Sequence, residues 1–417
     1  MRSRSFRGYL SALGPGLITG AADDDPSGIS TYSVVGAAFG YAPLWTALFS
    51  FPLMTAVQLM CARLGLVTGR GLAGVIRRRY PPWVLWSVCA LLVLANIVNI
   101  AADLGGMAEA TRLVTGVPVA ISIPIEGIGI LALLMYSRYR TIASTLKWLS
   151  LVLLAYVLTA FVVHVDWPLA IRATFVPHVE WSRAFFAALV AILGTTISPY
   201  LFFWQAAEEV EEERAQGRNL AKRRGATAEE LNACRTDVVT GMFASNAIMY
   251  FIILATAATL HANGQTTIVS ASQAADALRP LAGAGAYWLF TLGLIGTGLL
   301  AVPVLAGSCA YAITEALAWD GSLDRPPGRA GKFYAVLGSA ITLGAALTYA
   351  GVNPIRLLFA SAVLNGVLAP PLILIVLLLT RDRTVMGKAT NPRLVDVLGW
   401  TTFGFMVAAA LGLFFAS

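Results

Sequence analysis

The sequence predicts an all-α polytopic membrane protein of eleven spans. The spans form a five-plus-five inverted repeat with an eleventh added, and the first and sixth helices are broken. Three observations predict this. The chain is 58% hydrophobic and only 12% charged, with a mean hydropathy of +0.73, whereas a soluble protein carries about 25% charged residues. Its apolar runs alternate with short loops bearing Lys and Arg. Helix breakers stand in the middle of two runs five spans apart.

The first span covers 10–39. An apolar run at 10–22 leads into Asp23, Asp24, Asp25, Pro26, Ser27 and Gly28, and a second run at 29–39 leads out. Neither run alone reaches the ~20 residues that a span needs, but together they do. An ionisable group at mid-membrane costs at least ~2.5 kcal/mol. Three in a row imply a wet site and a positive partner. No Lys or Arg lies within 10–39, so that partner is a cation from outside the chain. Arg2, Arg4 and Arg7 before an apolar run mimic a signal peptide, yet acids stand where small cleavage-site residues belong.

Spans two to five fall at 41–62, 82–111, 117–136 and 144–165. In the third, Asn96, Asn99 and Asp103 follow i, i+3, i+7 spacing and share one face. That stripe either lines a water path and supports Asp25 or forms an interhelical hydrogen-bond network. Glu126 in the fourth span reads as a structural polar contact.

The sixth span, 183–207, is interrupted by Gly194, Thr195, Thr196, Ile197, Ser198, Pro199 and Tyr200. Pro199 removes a backbone donor and clashes with the preceding turn, and Gly194 loosens the same stretch. Alone this reads as an ordinary membrane-helix kink. Paired with the acids five spans earlier, it marks corresponding breaks in two inverted repeats, with the binding site between them. Gln205 lies two turns beyond Ser198 on the same face. Glu208, Glu209, Glu211, Glu212 and Glu213 follow. They form either an acidic vestibule that concentrates cations or a solvated helix end paired with Arg214, Arg218, Lys222, Arg223 and Arg224.

The remaining spans are 236–260, 283–316, 333–350, 354–380 and 396–416. Asn246 and Asn365 read as polar contacts, with Asn365 able to approach the site. Asp237 and Glu315 read as solvated ends. Residues 317–332, with Pro326-Pro327-Gly328, read as a flexible linker.

Charge bias orients the chain. With the N-terminus cytoplasmic, all but Arg112, Arg172, Arg183, Arg279 and Arg356 of the 29 Lys and Arg fall on the cytoplasmic side, as the positive-inside rule requires. The chain is therefore expected in a plasma (inner) membrane, multi-pass, with its C-terminus extracytoplasmic. The basic residues cap spans rather than form a patch, so the net charge of +7 does not indicate nucleic-acid binding. Residues 1–417 read as one transmembrane transporter domain: repeat one at 10–165, repeat two at 183–380 and the extra span at 396–416. Cys61, Cys89, Cys234 and Cys309 show neither a disulfide framework nor zinc spacing. His164, His178 and His261 lie in or beside external loops. No phosphate loop, nucleophile triad or ligand-spaced His cluster supports an enzyme, and no cofactor is expected.

The chemistry follows from the breaks. Unwound helix ends expose carbonyl oxygens at the negative end of the helix dipole. Carbonyls with carboxylates suit hard divalent cations, and neither break holds a Met, Cys or His. Asp25 is the foremost ligand candidate, and it can also cap the half-helix that follows. Asp24 follows it, and Asp23 is weaker. Thr195 and Ser198 are candidates from the second break.

Two segments carry a family resemblance. GPGLITGAADDDPSG (Gly14 to Gly28) resembles the first span of the natural resistance-associated macrophage protein (Nramp) metal transporters, and GTTISPY (Gly194 to Tyr200) resembles their sixth. The resemblance implies a LeuT-type fold and transport of divalent transition metals, usually with protons. It places the carbonyl ligand on Thr195. The family's Asp-Pro-Gly-Asn stands here as Asp25-Pro26-Ser27-Gly28, so the ligand Asn is replaced by Gly28. Its Met-Pro-His stands as Ser198-Pro199-Tyr200, so the thioether and the His are gone. Residues 333–350 lack the Arg residues linked to proton movement in the family. This pattern is similar to the divergent Nramp-related magnesium transporters, whose site is wider and not proton-coupled.

The expected function is transport of Mg²⁺, and also Mn²⁺, by alternating access without proton coupling, by a monomer in the bilayer. The metal ligands would be Asp25, Gly28, Thr195, Ser198 and Asp24. Ser27, Gln205, Glu209, Asp103 and Asn99 would form the vestibule or support the ligands. One alternative is a proton-coupled Mn²⁺/Fe²⁺ transporter with Asp103 carrying the proton. Another is a Na⁺-coupled amino-acid symporter of LeuT-type fold, which would need a positive helix end free of acids.

Overall fold

A computed structural model describes residues 14–136, 149–215, 217 and 225–416, and among these no strand occurs. The first span is two helices, α1 (Pro15–Asp23) and α2 (Pro26–Phe39). Then come α3 (Trp45–Thr68), α4 (Pro82–Thr115), α5 (Val119–Tyr136) and α6 (Leu154–Val162). The sixth span is α7 (Arg183–Thr196) and α8 (Pro199–Ala215). It is followed by α9 (Ala228–Thr259), α10 (Ala286–Ala316), α11 (Gly331–Thr348), α12 (Pro354–Arg381) and α13 (Arg393–Phe415). Eight described helical stretches are long and apolar enough to cross a bilayer. They fall on the second, third, fourth, sixth, seventh, eighth, tenth and eleventh spans. The α1–α2 pair, α6 and α11 occupy the first, fifth and ninth positions. Residues 10–13 of the first span and 144–148 of the fifth lie outside the described residues.

Proline alone does not break these helices. Pro52, Pro124, Pro303, Pro370 and Pro371 all sit inside continuous helices. At the two breaks proline does something else. Pro26 and Pro199 each open the second half-helix, at a position where the missing N–H would have had no partner anyway. The expectation for Gly194 is corrected too. It stays within α7, and a Cβ there would strike the Ala362 carbonyl and the Gly366 backbone of α12. Gly194 is glycine because two helices touch there, not because the helix unwinds.

Packing has the symmetry of an inverted repeat. The first span lies along α9, the seventh, while α8 of the sixth lies along α3, the second. Exchanging the repeats turns one pairing into the other. The α4–α10 contact, third span with eighth, maps onto itself. Small residues permit the close approaches. Gly20 meets the Gly241 backbone, Gly241 meets the Gly16 carbonyl, and Gly65 meets the Ala206 carbonyl.

Two residues expected in solvent are not there. Asp237 is buried, and its carboxylate accepts from the N–H groups of Gly14 (2.8 Å), Gly16 (2.6 Å) and Leu17 (3.2 Å). It therefore caps α1, whose own N-cap Gly14 has no side chain to do so. Glu315 is half-buried and accepts from Gly74 N–H at 3.0 Å. Nor is 317–332 a free linker: Leu323 is buried, and Ser322 Oγ donates to Glu211 at 2.5 Å.

Candidate functional site

The break in the first span is Asp24 and Asp25. Asp25 has extended backbone and caps α2, with its Oδ1 accepting from Gly28 N–H at 2.6 Å and Ser27 Oγ at 3.0 Å. The capping role weighed from sequence is thus present, and both of these bonds fall on Oδ1. Asp23 and Asp24 share one donor on α9. Ser245 Oγ is 2.6 Å from Asp23 Oδ2 and 3.2 Å from Asp24 Oδ1. A hydroxyl carries one proton, so it serves one carboxylate at a time. Asp23 Oδ1 is buried without a partner.

In the sixth span, Ile197 and Ser198 separate the half-helices. Ser198 Oγ lies 2.7 Å from the carbonyls of both Gly194 and Thr195, and its single proton serves one or the other. Thr195 Oγ1 lies 3.0 Å from Tyr32 Oη and 2.9 Å from the Ile192 carbonyl. The side chains of Thr195 and Ser198 therefore first satisfy the loose carbonyls at the end of α7.

Two tyrosines stitch the breaks together. Tyr32 of α2 bonds to Thr195 of α7, and Tyr200 of α8 donates to the Ala22 carbonyl at the end of α1, 3.0 Å away. These cross-links bring the acids of one break against the hydroxyls and carbonyls of the other. Asp25 also feels the Tyr200 hydroxyl and the Asp103 carboxylate of α4. Both Asp103 oxygens lack a hydrogen-bond partner, as do both polar atoms of the Asn99 amide. Only Asn96 reaches across, donating to the Leu305 carbonyl of α10 at 2.9 Å. The α4 stripe is thus not a closed interhelical network. It is a line of buried polar groups, of which Asp103 lies near enough to Asp25 for their charges to interact.

Below the breaks, Thr19 Oγ1 donates to Gln205 Oε1 at 2.6 Å, and Gln205 Nε2 donates to Glu209 Oε1 at 3.0 Å. Glu208, Glu209, Glu211 and Glu213 are buried, and Arg214 pairs with Glu211 at 2.6 Å. This is not a solvated helix end. The other cations considered as partners, Arg218, Lys222, Arg223 and Arg224, lie outside the described residues.

The centre is shut. Asp24 and Asp25 are each 2% exposed and Asp23 is 0% exposed. At Gly28 a Cβ would lie 3.3 Å from Asp25 Oδ1 and 3.4 Å from both Asp23 O and Tyr32 Cε2. The half-helices close around the glycine. No ion pair among the described residues involves Asp23, Asp24 or Asp25. Nor does any group of three or more His, Cys, Asp or Glu side chains there form a metal cage. A cation at the breaks would be held by single carboxylates with hydroxyls, carbonyls and water.

Sequence reasoning missed Ser245, Tyr32, Tyr200 and Asp237. The tyrosines flank the breaks, which is a usable signal. Ser245 and Asp237 lie more than 200 residues from what they hold, and nothing local marks them.

Paired broken helices stitched face to face across an inverted repeat define a membrane protein of the LeuT-type class. Solved structures share this fold. The Eremococcus coleocola manganese transporter aligns with a TM-score of 0.75 at 19% identity, covering 99% of this chain and 87% of that one. Mhp1, a nucleobase-cation-symport-1 family transporter, aligns at 0.56 with 15% identity, covering 96% and 92%. Within that class, residues 16–416 match the natural resistance-associated macrophage protein-like (Nramp) family. The chain belongs to it, a family of membrane transporters rather than enzymes. It is 28% identical to the divalent metal cation transporter MntH of Klebsiella pneumoniae (strain 342), over 96% of this chain and 92% of that protein. It is 27% identical to MntH of Bacillus subtilis (strain 168), over 97% and 92%.

Proposed function

We propose that this protein carries divalent cations across the plasma membrane by alternating access, with Mg²⁺ as its first substrate and Mn²⁺ as another, and without obligatory proton coupling. It would work as a monomer, as one domain, with its N-terminus in the cytoplasm. Divalent metal transport is what the curated names of its relatives state. The choice of a hard ion rests on one observation: the donors at the two breaks are all oxygens. Asp25, Asp24, Ser198 and the Thr195 carbonyl supply them, and no thioether, thiol or imidazole stands in either break. Met would favour softer ions, and its absence removes that advantage. Mg²⁺ parts with its water reluctantly and is held by one or two carboxylates with waters retained.

A second reading has its own support. Asp103 is a buried carboxylate without a hydrogen-bond partner, close to Asp25. In this reading Asp103 carries the proton of a Mn²⁺–proton symporter. The amino-acid symporter is disfavoured, because the helix end that would receive a substrate carboxylate is already capped by Asp25.

Proteoliposomes holding a Mg²⁺ dye or a pH dye separate these readings. Saturable Mg²⁺ entry, lost in Asp25→Asn and without acidification, is the expected result. Mn²⁺ entry with acidification and no Mg²⁺ entry would establish the proton-coupled reading instead.

A further inference from the structure

A cavity of about 520 Å³ lies between the end of α3, the short helix Leu72–Arg79, residues 225–226 and the link from α12 to α13. Arg70, Arg78, Arg79 and Lys388 line it, and no carboxylate is among its described lining. Val67, Val75 and Met386 give its lining an apolar part. This is the face that bears the Lys- and Arg-rich loops, and none of the candidate ion ligands lines the cavity.

The walls are built rather than accidental. Arg63 of α3 donates to the Ala389 carbonyl at 2.9 Å, and Gly225 N–H donates to the Val67 carbonyl at 2.9 Å. Arg79 is held by Asp382 through Nε, at 2.6 Å, which leaves both Nη groups for another acceptor. Arg78 and Lys388 have no acidic partner among the described residues. With Arg79 balanced by Asp382, Arg78 and Lys388 leave an excess of positive charge that focuses a positive potential into the concavity. Guanidinium forks match phosphate oxygens in pairs. The apolar lining suits the carbon part of an ester.

We infer that this cavity binds a phosphate group, presented either by an anionic lipid headgroup or by a free phosphate-bearing solute. The inference does not rest on the ion-transport reading. Basic pockets between spans on the cytoplasmic side are where anionic headgroups bind.

The test uses the full chain purified in detergent. Native mass spectrometry would count retained phosphatidylglycerol against phosphatidylcholine, and thermal shift would be followed with inorganic phosphate. Wild type is set beside Arg78→Gln/Lys388→Gln, with Arg279→Gln, outside the cavity, as control. Each cation near an anionic lipid surface is worth about fivefold, so the double variant should lose roughly 30-fold in apparent affinity while the control keeps it. Selective phosphatidylglycerol retention lost in the double variant establishes a lipid headgroup. A phosphate-dependent thermal shift lost in that variant, without lipid retention, establishes a free solute. Binding of neither probe, or equal binding by wild type and the double variant, overturns the site.

Discussion

Asp25 caps α2 through Oδ1 and is the proposed ion ligand, and substitution can part the two roles. Asp25→Asn keeps a carbonyl oxygen to accept from Gly28 N–H but removes the charge. Its melting temperature should stay near wild type, while cation uptake should fall roughly tenfold or more, since a charged contact is worth about 1.5–3 kcal/mol. Asp25→Ala should lose uptake and a further ~1 kcal/mol of stability with the cap. Uptake and melting measured on both variants would show whether capping or charge governs transport; normal uptake by Asp25→Asn would remove Asp25 from the ligand set.

Asp382, outside the spans, offers a cleaner electrostatic case. Its hydrogen bond from Arg79, with further bonds from Thr384, holds its pKa down at about 2, against ~3.9 for a free Asp. A carboxyl with a depressed folded-state pKa contributes stability that is complete above its unfolded pKa. That contribution is lost as pH falls through the folded value. The contact should therefore be intact at every pH above about 5 and fade between about 4 and 2. A carboxyl-carbon NMR titration should place its midpoint near 2 and move it upward in Arg79→Gln. An unperturbed midpoint in wild type would mean that the Arg79–Asp382 bond is not held in solution.

At the scale of elements, glycines decide where helices meet. The α1–α9 contact is backbone on backbone at Gly16, Gly20 and Gly241. Gly241→Ala drives a methyl into the Gly16 carbonyl and should destabilise by about 1–3 kcal/mol, as overpacking does. Thermal melting checks this. Gly129→Ala, where a Cβ meets nothing within 4 Å, should be neutral or stabilising because Ala is the better helix former; an equal loss there would show that the Gly241 effect is not overpacking. These elements also show what could be read in advance. The span order and both breaks were legible, because apolar length and mid-span acids or prolines are local signals. The role of Gly194 was not, because unwinding and close packing call for the same residue and only the partner helix tells them apart. Ser245 and Asp237 stayed hidden for the same reason. Their work depends on what stands opposite, and hydropathy does not say which spans are neighbours.

For the molecule as a whole, the two helix breaks are closed off, with Asp23, Asp24 and Asp25 buried, so transport by way of the breaks requires that some contact let go. Asp237 is the strongest candidate on the basic face. It accepts three backbone N–H groups at the start of α1 and so ties that half-helix to α9. The Thr19–Gln205–Glu209 chain ties the same half-helix to α8. If α1 must leave α9 to open this face, weakening the clasp shifts the population toward the open state by the energy removed. Asp237→Asn keeps one acceptor and loses the charge, a change of about 1.5 kcal/mol or more, or roughly tenfold in that equilibrium. A cysteine at Thr19, which is fully buried, would report it. The four native cysteines are buried too, so background labelling by a membrane-impermeant maleimide should be low. With Thr19→Cys in both backgrounds, labelling from the basic face should speed up about tenfold in Asp237→Asn, and a saturating substrate cation should alter the rate. A lower melting temperature with unchanged labelling would make Asp237 a plain helix cap, with the opening motion seated elsewhere.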